Sequence, residues 1–86
     1  NKEIYYYKNE GECDFLVRFG GKILAAIQVC WKLDSDNQER ELRGLREAMA
    51  EFKLDHGTIV TLNQEDTFGN VNVVPFWKWA TAKKLE

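Results

Sequence analysis

The strongest constraint on this chain is a pair of glycines, Gly20 and Gly21, between two apolar stretches at residues 11–18 and 22–31. Glycine reaches positive φ at little cost, so the pair reads as the turn of a β-hairpin. Side chains alternate along a strand, so a slip of one residue exchanges the two faces. A plain two-residue loop sets Asp14 opposite Ile27 and Cys13 opposite Gln28. A three-residue loop, or a bulge, instead sets Asp14 opposite Gln28 and Glu12 opposite Cys30. Only the second register gathers the apolar set Phe15, Val17, Ile23, Ala25, Ile27, Val29 and Trp31 on one face. The other face then carries Glu12, Asp14, Arg18, Gln28, Cys30 and Lys32, a polar cluster on a hairpin of buried type, where chemistry can sit.

The remaining elements arrange themselves around this hairpin. Residues 4–8 read as an aromatic strand, and 9–11 as the turn into the hairpin. Asp34, Ser35, Asp36 and Asn37 are all competent N-caps, and Glu39 stands three residues after Asp36 in an approximate capping box. A helix over about residues 36–53 follows, with Leu42, Leu45, Ala48, Met49 and Phe52 on one face and closure at residues 55–57, where Gly57 suits the left-handed position. Residues 58–62 are β-branched and suit a buried strand, 63–67 a polar turn, and 70–74 a half-exposed strand. Pro75 ends that strand and opens a second helix bearing Phe76, Trp77, Trp79 and Ala80, with Lys78, Lys83 and Lys84 toward its C-terminus. The fold class is therefore α/β, a mixed sheet with an antiparallel meander, a strand–helix–strand crossover of right-handed sense, and a C-terminal helix.

Eighty-six residues with 44% hydrophobic content suit one small domain. A net charge of −2 excludes a protein that holds nucleic acid by bulk positive charge, although local basic patches remain. The apolar runs are too short to span a bilayer, and the expected setting is cytoplasmic, without membrane association. Cys13 and Cys30 do not make a disulfide framework. The chain opens at Asn1, without Met, almost directly in an apolar strand, which suggests a piece of a longer polypeptide.

Several nucleases hold Mg²⁺ with an acid at the start of one strand and an acid-x-Lys triplet on the next, the Lys steadying the attacking water and the scissile phosphate. In this chain Asp14 occupies the first position, but the triplet is Gln28, Val29, Cys30. Gln offers a neutral carbonyl and Cys delivers no positive charge, so the pattern predicts a degenerate site. Lys32, about 7 Å further along the same face, could displace the missing Lys. Glu12 and Asp14 are the candidate ligands of a weak Mg²⁺ site. No zinc-type spacing joins the cysteines to His56. Arg40, Arg43 and Arg46 form a basic stripe that could meet phosphates, yet Glu39, Glu41 and Glu47 are interleaved with it. Trp77 and Trp79 could stack on bases, or seal the core or a neighbouring domain.

The pattern Glu-x-Asp-Phe-Leu-Val at 12–17, Ile-Gln-Val-Cys-Trp at 27–31, Glu-Arg-Glu at 39–41, Thr-Ile-Val-Thr at 58–61 and Val-Val-Pro-Phe-Trp-Lys-Trp at 73–79 resembles one family. It is similar to the C-terminal restriction-endonuclease-like domain appended to predicted AAA+-type ATPases of bacteria and archaea. The resemblance implies a PD-(D/E)XK nuclease core over residues 1–86, truncated at the N-terminus because the first core helix of such nucleases would precede Asn1. It also implies an N-terminal ATPase domain that holds the ATP and is this domain's partner. By the same resemblance the metal-binding acid is Asp14, and the second acid and Lys map onto Gln28 and Cys30. Three functions follow as expectations: a non-catalytic module binding nucleic acid or protein and regulating the ATPase, an Mg²⁺-dependent DNA nuclease using Lys32, or a structural oligomerisation domain. Truncation would also leave the strand at Tyr5–Tyr7 under-protected, which predicts a homodimer.

Overall fold

Gly20 and Gly21 have φ of 62° and 83° in the computed structural model, which describes residues 2–6 and 15–82. They close a tight turn between β2 (Phe15–Phe19) and β3 (Lys22–Val29). Phe19 pairs with Lys22 and Arg18 with Ile23; the register then shifts between Val17 and Arg18, so that Val17 pairs with Ala25 and Phe15 with Ile27. The bulge is the one that the hydrophobic pattern demands. It also corrects one assignment. Ile23 lies on the turn side of the bulge and packs with Leu16 and Ala26, on the opposite face from Val17 and Ile27.

β1 (Lys2–Tyr6) pairs antiparallel with β2 and completes the meander. From β3 the chain crosses through α1 (Gln38–Glu51) to β4 (Gly57–Thr61), which pairs parallel with β3. β5 (Asp66–Phe68) and β6 (Val71–Pro75) form a hairpin turned at Gly69 (φ 62°), and β6 lies parallel to β4. The sheet order is β1-β2-β3-β4-β6-β5, so β1 is an edge strand. α2 (Phe76–Ala82) follows β6 directly. β5 replaces part of the expected polar turn at residues 63–67; the signal for it is Thr67-Phe68 before Gly69-Asn70. Pro75 is the last residue of β6, and the helix begins at Phe76.

α1 packs the predicted face against the sheet: Leu42, Leu45, Ala48 and Met49 are buried, and Phe52 is half-buried. Its ends differ from the sequence expectation. Asn37 is the N-cap residue without a side-chain cap bond. Instead the carboxylate of Asp34 accepts from the backbone N–H of Asp36 at 2.9 Å and of Asn37 at 3.0 Å. No capping box forms because the turn before the helix is folded on Asp34. At the other end the Leu54 N–H bonds to the Met49 carbonyl at 2.8 Å and the Lys53 N–H to the Ala50 carbonyl at 3.3 Å. This is a Schellman closure with Lys53, at φ 56°, in the left-handed position expected of Gly57. Gly57 opens β4 for a different reason. A Cβ there would stand 2.7 Å from the Met49 sulfur and 2.9 Å from the Leu45 side chain, so glycine lets α1 sit close on the sheet.

Leu45 is fully buried at the centre of this contact. Leu45→Ala is expected to cost about 2–5 kcal/mol through lost transfer energy and the cavity left behind. Urea denaturation measures it, and an unresolvable change would contradict the helix phase described.

Candidate functional site

The polar face of the hairpin is the face that α1 covers. Gln28 and Cys30 alternate with the other face of β3, so they join Leu16 and Ala26 beneath the helix and are 4% and 8% exposed. Glu12 and Asp14 lie outside the described residues. The part of the expected polar cluster at Gln28 and Cys30 is closed off, because the crossover helix lands on this side of the sheet.

Gln28 projects from the middle of the sheet, in register with Ile59 of β4. Its Nε2 donates to Glu41 Oε1 at 2.6 Å, from the first turn of α1. The Glu41 side chain is only 13% exposed, and its second oxygen faces the Arg40 guanidinium at 3.3 Å. Gln28 Oε1 is buried and accepts no hydrogen bond from the described residues. Two positions on, the Cys30 thiol donates to the Lys32 carbonyl at 3.4 Å, and Asn37 Nδ2 donates to the same carbonyl at 2.9 Å. Cys30 is a free thiol whose pKa burial pushes up, with the Glu41 carboxylate adding to the effect. A raised pKa keeps it neutral and makes it a poor nucleophile and a poor metal ligand. Lys32 is exposed beyond the end of β3, and the part of it that joins this cluster is its carbonyl.

Gln64 fixes the connection between β3 and α1. Its side-chain amide accepts from the Leu33 N–H and donates to the Leu33 carbonyl, both at 2.7 Å, like a missing strand neighbour. Fully buried Thr61 anchors Gln64, accepting from its N–H at 2.9 Å and donating to its carbonyl at 2.8 Å. The chain thus enters α1 at a fixed place, and Glu41 arrives over Gln28. Sequence reasoning missed Glu41, Asn37 and Gln64 as members of the site. Glu41 had a signal, since it stands four residues before buried Leu45 on the flank of the apolar stripe.

The basic stripe does not form an open phosphate surface of three free guanidinium groups. Arg40 lies beside Glu41, and Arg46 donates to the Phe68 carbonyl at 3.0 Å; Arg43 is exposed between them. His56 is exposed in the α1–β4 loop, and no group of three or more His, Cys, Asp or Glu among the described residues could hold a metal ion. No helix among the described residues is long and apolar enough to cross a membrane. Trp79 is half-buried against Val17, Ile27 and Val60, while Trp77 is 61% exposed.

The opposite face of the sheet carries a groove among the described residues. It has a volume of about 370 Å³ and runs between α2 and the hairpin, with Ile27, Val29 and Val60 as its floor and Phe15, Phe76 and Trp79 as its walls. Trp31 stands at its mouth, 54% exposed, its ring 6.3 Å from that of Phe76. Val29 is 38% exposed within it. Every described residue that lines the groove is apolar.

The chain is 36% identical over 91 residues to Uncharacterized protein MJ1544 of Methanocaldococcus jannaschii, an alignment covering 93% of this chain and 20% of that relative. It thus spans about one fifth of the relative's length. No family model matches the chain. No solved structure matches it.

Because the folded thiol of Cys30 resists ionisation, the unfolded state releases that proton first. The stability held below about pH 9 is expected to fall as pH rises through the folded thiol's higher value. Denaturation midpoints from pH 7 to 10.5 measure this, and Cys30→Ala should flatten the alkaline decline.

Proposed function

We propose that this domain is a restriction-endonuclease-like module that does not cleave, carried on a longer chain with an AAA+-type ATPase, and that it regulates that ATPase through protein contacts. One observation carries the reading. Gln28 and Cys30, which stand where the resemblance puts a metal-binding acid and a Lys, are buried under α1, and Gln28 is committed to Glu41. The order of strands and helices supports the nuclease-like comparison: an antiparallel meander, a parallel crossover through a helix, and a final helix. Protein is favoured over nucleic acid because the open face is an apolar groove, whereas two of the three arginines of α1 have partners within the domain. The partner implied by the resemblance is the ATPase domain of the same chain, which would bind the ATP.

A second reading, an Mg²⁺-dependent DNA nuclease, has one specific support. The Gln28 amide is bonded to the Glu41 carboxylate, Gln28 Oε1 accepts no hydrogen bond from the described residues, and Asp14 directly precedes β2 in the sequence. Mg²⁺ prefers near-ideal octahedral oxygen ligation and sheds water reluctantly, so one carboxylate and one amide hold it weakly. Lys32 would supply the positive charge in this reading.

Supercoiled plasmid incubated with the protein and Mg²⁺ is expected to remain uncut. Cleavage that disappears in Asp14→Ala would overturn the first reading in favour of the second, and Lys32→Ala would then test the displaced Lys. Binding of duplex DNA, followed by anisotropy at low and moderate salt, should show no steep salt-dependent affinity. Strong binding lost on replacing Arg40, Arg43 and Arg46 with Ala would move the proposal to nucleic acid.

Gln28→Glu sets a second carboxylate against Glu41 in a buried place. Like charges there raise a carboxyl pKa, so the variant should lose stability as pH rises from about 4 to 7 while the native sequence does not. Thermal melts measure the difference. Recovery of the lost stability by millimolar Mg²⁺ in Gln28→Glu, and none in the native protein, is the expected behaviour of a degenerate metal position.

A further inference from the structure

β3 is eight residues long, and its two neighbours cover it unequally. β2 pairs with it from Lys22 to Ile27, whereas β4 pairs with it only from Ile27 to Val29. Along residues 22–26 the side of β3 turned toward β4 therefore has no strand beside it among the described residues. The backbone there forms an edge within the sheet, and such an edge is a template for another extended chain. Across a cleft of about 850 Å³ it faces the loop from α1 to β4, residues 52–56.

We propose that this cleft receives an extended acidic peptide of a partner protein, which adds to β3 as a short strand. Neither the groove on the other face nor Gln28 takes part, so the cleft goes beyond the reading above. Its dimensions fit one strand. Five strand residues span roughly 16 Å, and the cleft volume spread over that length gives a cross-section of roughly 50 Å². A strand takes about 4.8 Å beside its neighbour and about 10 Å between packed layers, which is close to that area. An α-helix, about 10–12 Å across in both directions, is too thick. The far wall is also built in place. Lys53 and Leu54 donate their N–H groups to the Ala50 and Met49 carbonyls, Asn70 Nδ2 donates to the Asp55 carbonyl at 2.9 Å, and the Gly57 N–H to the Asn70 carbonyl at 3.1 Å. A wall held at both ends does not have to be ordered when a ligand arrives.

Charge decides the kind of peptide. Lys22 stands on the strand side, Lys53 and His56 stand on the loop, and all three are exposed; Asp55 is the one acid lining the cleft. The carbonyls of Met49 and Ala50 are met by the loop's own N–H groups, which blunts the negative pole of α1 at this place. Lys53 adopts φ 56°, where glycine is the usual and less strained residue. Lysine there gives the turn nothing that glycine would not supply, and what it adds is positive charge at the cleft. Leu24, 44% exposed, and half-buried Phe52 and Leu54 form apolar ground between the charges. The peptide that suits these walls alternates β-branched residues with Asp or Glu, its backbone bonding to β3 and its acids meeting the lysines.

The test uses the 86-residue chain and acetylated, amidated octapeptides in which Val or Thr alternates with Asp or Glu. A matched set carries Lys in place of the acids. Two further sets are N-methylated at odd or at even positions, because a strand turns alternate N–H groups toward one neighbour. Binding is read by backbone amide shifts and by hydrogen exchange. The expected result is that acidic peptides at millimolar concentration shift the amides of residues 22–26 and 53–56 and slow exchange along 22–26, that the Lys set does not bind, and that one methylated set fails while the other binds. Lys22→Glu and Lys53→Gly should each weaken binding about threefold, and together about tenfold, as exposed ion pairs do. Lys53→Gly should not lower the melting temperature, which separates lost charge from lost folding. The inference is overturned if no acidic peptide binds, if the Lys set binds as well, if the two methylated sets behave alike, if the shifts fall elsewhere, or if the double variant binds undiminished. Self-association by sedimentation that Lys22→Glu abolishes would assign the cleft to a second copy and equally overturn it.

Discussion

A shift of one residue between Val17 and Arg18 governs what each face of this sheet presents. Without it, the tight turn at Gly20 and Gly21 would carry its pairing along the whole hairpin, and Phe15 and Val17 would lose Ile27 and Ala25 as cross-strand partners. The bulge admits one extra residue, Leu24, at the surface and restores a common apolar face beyond it. The same shift sends Gln28 and Cys30 to the side of α1. Two features of the domain follow from that choice: a closed polar pair on one face and an apolar groove on the other.

The closed pair is held by more than its own hydrogen bond. Burying the Glu41 carboxylate costs free energy, and one bond from Gln28 with a flanking Arg40 offsets that only in part. The connection into α1 supplies the rest of the order. Thr61 holds Gln64, Gln64 holds both backbone groups of Leu33, and Asp34 and Asn37 fold the turn that starts the helix. These bonds fix where α1 begins, and Gly57 fixes how closely its far end approaches the sheet. Glu41 is over Gln28 because both ends of the helix are located by other residues.

Seen from the other face, the described part of α2 is largely exposed. Trp79 packs inward, but Phe76 is 48% and Trp77 is 61% exposed. A small domain with this much aromatic surface in water has an incentive to bury it in an assembly or in a larger chain. The two faces of the sheet are thus treated unequally.

Much of this was written in local sequence. Gly20 and Gly21 determined the hairpin, because glycine adopts two successive positive φ values at little cost, and the alternation from Phe15 to Val29 determined that a bulge must follow. The period of Leu42, Leu45, Ala48 and Met49 determined α1 and its buried face, since one apolar stripe at helical spacing can be hidden in only one way. The β-branched run at 58–61 determined the central strand. Tertiary structure decided the rest, because the rest depends on which distant groups meet. It placed Ile23 across from its expected face, gave the left-handed turn to Lys53 and the close helix contact to Gly57, and drew β5 from a stretch that reads as a turn. It also decided that Gln28 would be sealed under α1 by Glu41 while Val29, the next residue, opens into the groove. Adjacent strand residues face opposite ways by local geometry, but which side receives the helix is set by the path of the crossover, and no local pattern encodes that.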